Sequence, residues 1–475
     1  MTGRKLLLAV ATSHLTAIAF ASPMPEAEPD PVPQISLPPI IPSVPGFDDP
    51  LSTLVPPTPV LQAPTPPKDS PPFQGSDIKP KKIGYFWTGA GDNDHADFLA
   101  TYSLDDVSTE DTMNEQRILN YLQDTFGEFI WLTDVPTSGN SPHHLGTTLD
   151  GKTLVGGGLL SLLKTQDTAY YFDVSDPYRP SFKKSNRALT AAITDEIRAK
   201  PDGGFLITYM GSAGGTSPGR LVETDNNFDI IGQHPQDVAS QVNIFADNFN
   251  PHGLSIDFDK DIILTSDYIV PLSILKPSLG IIRDNTLRLW KLSSRSIIRG
   301  GIQDVKFIPG NPDSAALATA VHLGQVWIIY PFKTDANGKQ GTAQLLSDIT
   351  KDGKFIYLTI TTGNHVAALD ISDLSNVKRL DDPDEQQPLI GPHYIKVTPD
   401  AKHIVVTDYF VQTGDIGLIN TPADFKAQYI DINDDGSLHF NRSIDFTTPY
   451  TNRGGGKPHS AVVFDLTDPA NPYYY

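Results

Sequence analysis

Cysteine is absent from all 475 residues. The chain therefore has no thiol nucleophile, thiolate metal ligand or redox dithiol. With no disulfide available, a hydrophobic core must hold the fold, which favours a large cooperative domain over a small stapled one. Basic residues are few: 36 Lys and Arg against 56 Asp and Glu leave a formal net charge of -20. Such a surface repels phosphates and anionic headgroups, which argues against nucleic acid and acidic membranes as partners. No stretch approaches the roughly 20 apolar residues of a membrane helix, so no membrane span is expected. Helical periodicity is also scarce, carried only by residues 109–126 and 190–200.

Proline, by contrast, is abundant, and it is concentrated early. Residues 1–21 read as a signal peptide: Arg4 and Lys5 precede an apolar run from Leu6 to Phe20 and an Ala19-Phe20-Ala21 cleavage site. Residues 22–80 form a Pro-rich segment without periodicity, expected to be an extended, disordered linker. Lys81-Lys82 at its end reads as a basic pair before the first strand or a processing site. A secreted, extracellular protein follows, and the Asn441-Arg442-Ser443 sequon suits that location.

Residues 81–475 have the texture of an all-β domain. Short alternating runs such as Ile83-Gly84-Tyr85-Phe86-Trp87 and Ile404-Val405-Val406-Thr407 recur between Asp-Gly, Asn-Pro and Pro-Asp turns. Three segments align without gaps, beginning at His143, His252 and His393; each has proline before the histidine and an aspartate seven residues after it. Copies without the histidine begin at Asp304 and Asp348. A strand, an Asp-centred turn and a returning strand make the inner hairpin of a propeller blade, and about seven such units fit, predicting a seven-bladed β-propeller.

That register carries the candidate chemistry. Histidines that start innermost strands converge on the channel, so His143, His252 and His393 are expected at its mouth, joined by His459, which repeats the Pro-His pattern. His144 lies one residue off, where a regular strand would turn it the other way, and is kept among the candidate metal ligands with His143, His252, His393 and His459. Asp267 and Asp408 end the returning strands fifteen residues beyond His252 and His393, as candidate catalytic carboxylates. His322 and His365 follow returning strands and fall on the same face. Imidazoles from separate blades can hold one copper, iron or zinc ion with an open position. Trp87 and Trp290 read as core, and Gly156-Gly157-Gly158, Gly211–Gly219 and Gly454-Gly455-Gly456 as tight turns or mobile loops rather than a dinucleotide fingerprint.

The chain also resembles the selenium-binding protein family, which includes methanethiol oxidases. The resemblance rests on Trp87-Thr88-Gly89, Asp97-Phe98-Leu99-Ala100-Thr101, His143-His144, Phe172-Asp173-Val174, Asn311-Pro312-Asp313, Asp352-Gly353-Lys354-Phe355-Ile356-Tyr357 and Leu369-Asp370-Ile371-Ser372-Asp373. It implies a seven-bladed propeller and copper-dependent oxidation of a small substrate such as methanethiol. The family's cysteine motif after the His-His pair is replaced here by Gly146-Thr147-Thr148, which removes selenium binding through a thiol. Two further functions share the sequence features: a non-catalytic propeller binding a protein or glycan partner, and a four-histidine iron dioxygenase of the carotenoid-cleaving type.

Overall fold

The computed structural model describes residues 66–70, 73, 75–105, 124–161, 166–214, 217–236, 249–267, 286–299, 304–313, 315–320, 325–329, 347–360, 364–408, 412–413, 419–420, 424–468 and 473–474. The expected signal peptide, most of the Pro-rich segment, residues 109–123 of the first expected helix and His322 lie outside them.

Among the described residues the structure is all-β, with one short 3-10 turn at Thr451–Arg453. Six sheets of four or five strands and one of three strands form a β-propeller. The innermost strands Pro142–Thr147, Ala191–Ala199, Pro251–Asp257 and Asp304–Phe307 follow one another around the axis. Ser347–Ile349 neighbours Pro392–Val397, which neighbours Gly456–Asp465, and that strand lies against Pro142–Thr147. The ring closes because Gly456–Asp465 pairs with Lys82–Ala90, so the last long strand completes the sheet begun by the first.

Apolar side chains between neighbouring sheets supply the core. Trp87 and Leu99 pack with Leu154, Tyr170 and Phe172 in one seam, and Phe86 and Phe98 with Tyr429 and Phe446 in the seam on the other side. Leu206 and Leu221 meet Ile263 and Trp290, and Ile308 and Leu317 meet Ile356 and Leu358. Trp87 and Trp290 are fully buried core residues, each satisfying its indole N–H, to the Gly157 carbonyl and the Thr265 hydroxyl, both at 2.8 Å. Burying one such ring stabilises the fold by about 1.5–3 kcal/mol.

The expected Asp-centred turns are present at Asp150, Asp352 and Asp400. In each, a threonine hydroxyl two residues earlier donates to the carboxylate at 2.6–2.7 Å, and the carboxylate accepts the lysine N–H two residues later. This closes the inner hairpin without a long loop.

Two expectations are corrected. Residues 190–200 are not helical: Ala191–Ala199 is an innermost strand between Pro142–Thr147 and Pro251–Asp257. Its Ala, Glu and Arg content favours helix in isolation, and burial between two strands overrides that preference. Gly156, Gly157 and Gly158 are not a turn but lie within the strand Thr153–Gly158. A Cβ on Gly156 would lie 2.7 Å from the Trp87 indole, so this close approach requires glycine.

Candidate metal centre

The site is built by β-bulges. Pro142 pairs with Gly158 and Leu145 with Gly156, so His143 and His144 together face Gly157 alone. Pro251 pairs with Asp267 and Leu254 with Thr265, leaving His252 and Gly253 opposite Ser266. The register also slips at His393, between Pro392 and Tyr394, and at His459, between Pro458 and Ser460. A bulge breaks the twofold alternation of side chains and re-aims the extra residue. That is why His144 joins His143 instead of pointing away: the two rings stack with centroids 4.4 Å apart and planes at 6°.

A fifth bulge supplies residues that the sequence reading missed. Thr194 pairs with Tyr209 and Ile197 with Ile207, so Asp195 and Glu196 both face Thr208. Asp195 Oδ1 lies 3.4 Å from His144 Nδ1 and 3.8 Å from His143 Nδ1, and its Oδ2 lies 3.3 Å from His252 Nε2. Glu196 Oε2 is 2.7 Å from His144 Nδ1, and its other oxygen pairs with Arg198. The signal was available: Asp195 precedes Asp202 by seven residues, the spacing of the three His-Asp repeats.

The five histidines do converge. The His143 and His459 rings are 4.4 Å apart, those of His393 and His459 5.1 Å, and those of His144 and His252 6.1 Å. One ligand nitrogen each from His143, His393 and His459 lies within 4.8 Å of the others; His143, His144 and Asp195 form a second such group. His393 is half-buried and the other four histidines are buried.

Burial, reinforced by neighbouring imidazoles, holds His143 and His459 well below the usual histidine range and lowers His252 and His393 to about 3. These four rings are neutral at pH 7 and keep lone pairs for a ligand role. His144 is opposite. Burial alone would lower it, but the Glu196 and Asp195 carboxylates outweigh burial and raise it. Glu196 in turn stays ionised against the opposing effect of burial, through Arg198 and His144. Nε2 of buried His144 has no hydrogen-bond partner among the described residues. A cluster of neutral imidazoles beside two carboxylates suits a divalent transition metal, so the residues fit a metal.

The other expected site residues are elsewhere. Asp267 is gripped by Arg288, through Nη2 at 2.8 Å and Nε at 3.0 Å, and accepts the Asn250 N–H at 2.9 Å. Asp408 accepts the Asp424 N–H at 2.8 Å, and burial together with the Asp424 carboxylate raises its pKa. His365 is bonded to Asp381 at 2.7 Å, outside the cluster.

With this geometry in view, known proteins add a likeness of fold. No family model and no curated protein matches the chain. Among solved structures, a hypothetical selenium-binding protein from Sulfolobus tokodaii is similar at TM-score 0.61 and 15% identity, covering 82% of this chain and 94% of its own. A periplasmic gluconolactonase from Pseudomonas aeruginosa is similar at TM-score 0.52 and 11% identity, covering 80% and 98%. The likeness is one of fold, not of sequence family. Among the described residues, no helix is long and apolar enough to cross a membrane.

Proposed function

We propose that the chain is a secreted, metal-dependent oxidoreductase of the selenium-binding protein/methanethiol oxidase type. In this proposal it oxidises a small substrate, thiols among the candidates, at an ion held by His143, His393 and His459. We count the three-stranded sheet as a blade, which makes the propeller seven-bladed. The observation that carries the proposal is the approach of three imidazole nitrogens from three sheets to within 4.8 Å of one another. Copper is our first choice of ion, with iron and zinc as alternatives; when bound, copper supplies one-electron redox chemistry and a position for a small donor.

The chain's own residues have separable roles. Asp195 reaches His143, His144 and His252 at once and orients them. The His144–Glu196 pair holds a proton beside the cavity that both residues line. Of the two strand-end aspartates, we assign Asp408, which faces Pro392 beside His393, to proton donation and Asp267, fixed by Arg288, to positioning the backbone before His252.

Oxygen uptake by metal-loaded protein with small thiols tests this. Uptake lost in His459→Ala supports it; fully loaded protein that consumes no oxygen with either neutral or carboxylate-bearing small thiols contradicts it. That outcome would leave a non-catalytic scaffold binding a protein or glycan partner, a role suited by the exposed Leu149 and Phe258 at the cavity rim.

A further inference from the structure

The axial cavity has a volume of about 380 Å³ and is lined by the innermost strands. His144, Glu196 and Tyr394 form one layer of its wall. Two residues further along the same strands stand Gly146, Arg198 and Lys396, and the strand Asp304–Phe307 adds Lys306. A two-residue step along a strand is about 6.5 Å, so the cationic layer stands one short carbon chain away from the histidine layer.

The charge balance of this wall reverses that of the protein. A chain of net charge -20 places Arg198, Lys306 and Lys396 around one cavity, against Glu196 and Asp348. Glu196 is already engaged by Arg198 and His144. Asp348 accepts the Val397 N–H at 2.8 Å and pairs with Lys396 at 3.5 Å. The Lys306 side chain makes no hydrogen bond or ion pair among the described residues, and its charge acts on Glu196, His144 and Lys396 across the cavity. A cationic channel with low-dielectric walls concentrates anions, and an ammonium gains charge-assisted hydrogen bonds when a carboxylate reaches it.

We propose that this channel receives a small organic anion, its carboxylate held by Lys306 and Lys396 and its other end against His144, Glu196 and Tyr394. This names the substrate class of the proposed oxidoreductase and rests on that proposal for the chemistry at the inner end; the anion site itself needs no metal. Exposed Leu149 and Phe258 at the rim give the passage an apolar edge that suits a short alkyl chain.

The test is isothermal titration of the full chain with butyrate and with butyramide, which has the same shape without the charge. It is run on metal-loaded and on chelator-treated protein. The expected result is that butyrate binds at least about tenfold tighter than butyramide in both preparations. Lys306→Met should remove that preference and Lys306→Arg should keep it, with melting temperature unchanged. Equal affinity for acid and amide, no butyrate binding, or an unaltered preference in Lys306→Met would overturn the inference. Protein that prefers butyrate but never holds an ion would retain it and remove the metal proposal; protein holding an ion with no preference would do the reverse.

Discussion

The Thr359 hydroxyl donates a 2.7 Å hydrogen bond to the backbone carbonyl of His393, across the seam between two sheets. The arrangement repeats: Thr208 donates to the His252 carbonyl at 2.5 Å, Ser460 to that of His143 at 2.7 Å, and Thr407 to that of His459. Each of these four histidines is thus tied to the preceding sheet by one hydroxyl. Thr359→Val is expected to weaken metal binding roughly 10- to 100-fold, as loss of an outer-shell contact does, while the circular dichroism spectrum stays native. Thr359→Ser should restore it. Chelator competition measures both.

Glu196→Gln separates proton handling from metal retention. The substitution leaves shape but removes the charge that His144 Nδ1 meets at 2.7 Å. Turnover should fall by about 10²–10⁴, the usual worth of a positioned acid or base, with metal content unchanged. His459→Ala should lose metal and turnover together. Steady-state oxygen uptake paired with elemental analysis distinguishes the two.

Gly156→Ala tests the packing that seats the His143–His144 bulge. Its methyl group would meet the Trp87 indole at 2.7 Å, and Trp87 is fixed by its bond to the Gly157 carbonyl. Overpacking of this kind destabilises by about 1–3 kcal/mol, read as a lower denaturant midpoint. An unchanged midpoint would show that Trp87 is free to move.

Asp97 provides a pH signature away from the histidines. Its carboxyl is buried and raised from 3.8 to about 7 by desolvation, against the Asn140 N–H that it accepts at 2.9 Å. The folded chain therefore holds this proton more tightly than the unfolded chain. The resulting stabilisation is complete below the unfolded value of 3.8 and is lost as pH rises through about 7. Melting curves of Asp97→Asn should accordingly gain on wild type between those two values and stay parallel above them.

How much of this was legible beforehand follows from what each signal depends on. The blade hairpin is local, so its Asp turn and the Pro-His register at His143, His252 and His393 are visible in the letters. The bulges are not, because an inserted residue is defined only by its partner strand; hence the letters name His144 as a candidate ligand but leave the direction of its ring open. The Asp195–Glu196 pair was hidden twice, by a helix-favouring composition and by the same kind of bulge. Asp267 looked catalytic from its place at a strand end, yet Arg288, which comes from the next strand, engages it.

The central claim is that His143, His393 and His459 share one ion, and elemental analysis of protein purified from its native host tests it most directly. The expected result is about one equivalent of copper, or of iron or zinc, lost in His393→Ala and His459→Ala variants that still fold. Correctly folded native protein without metal, or metal retained in both variants, would contradict it.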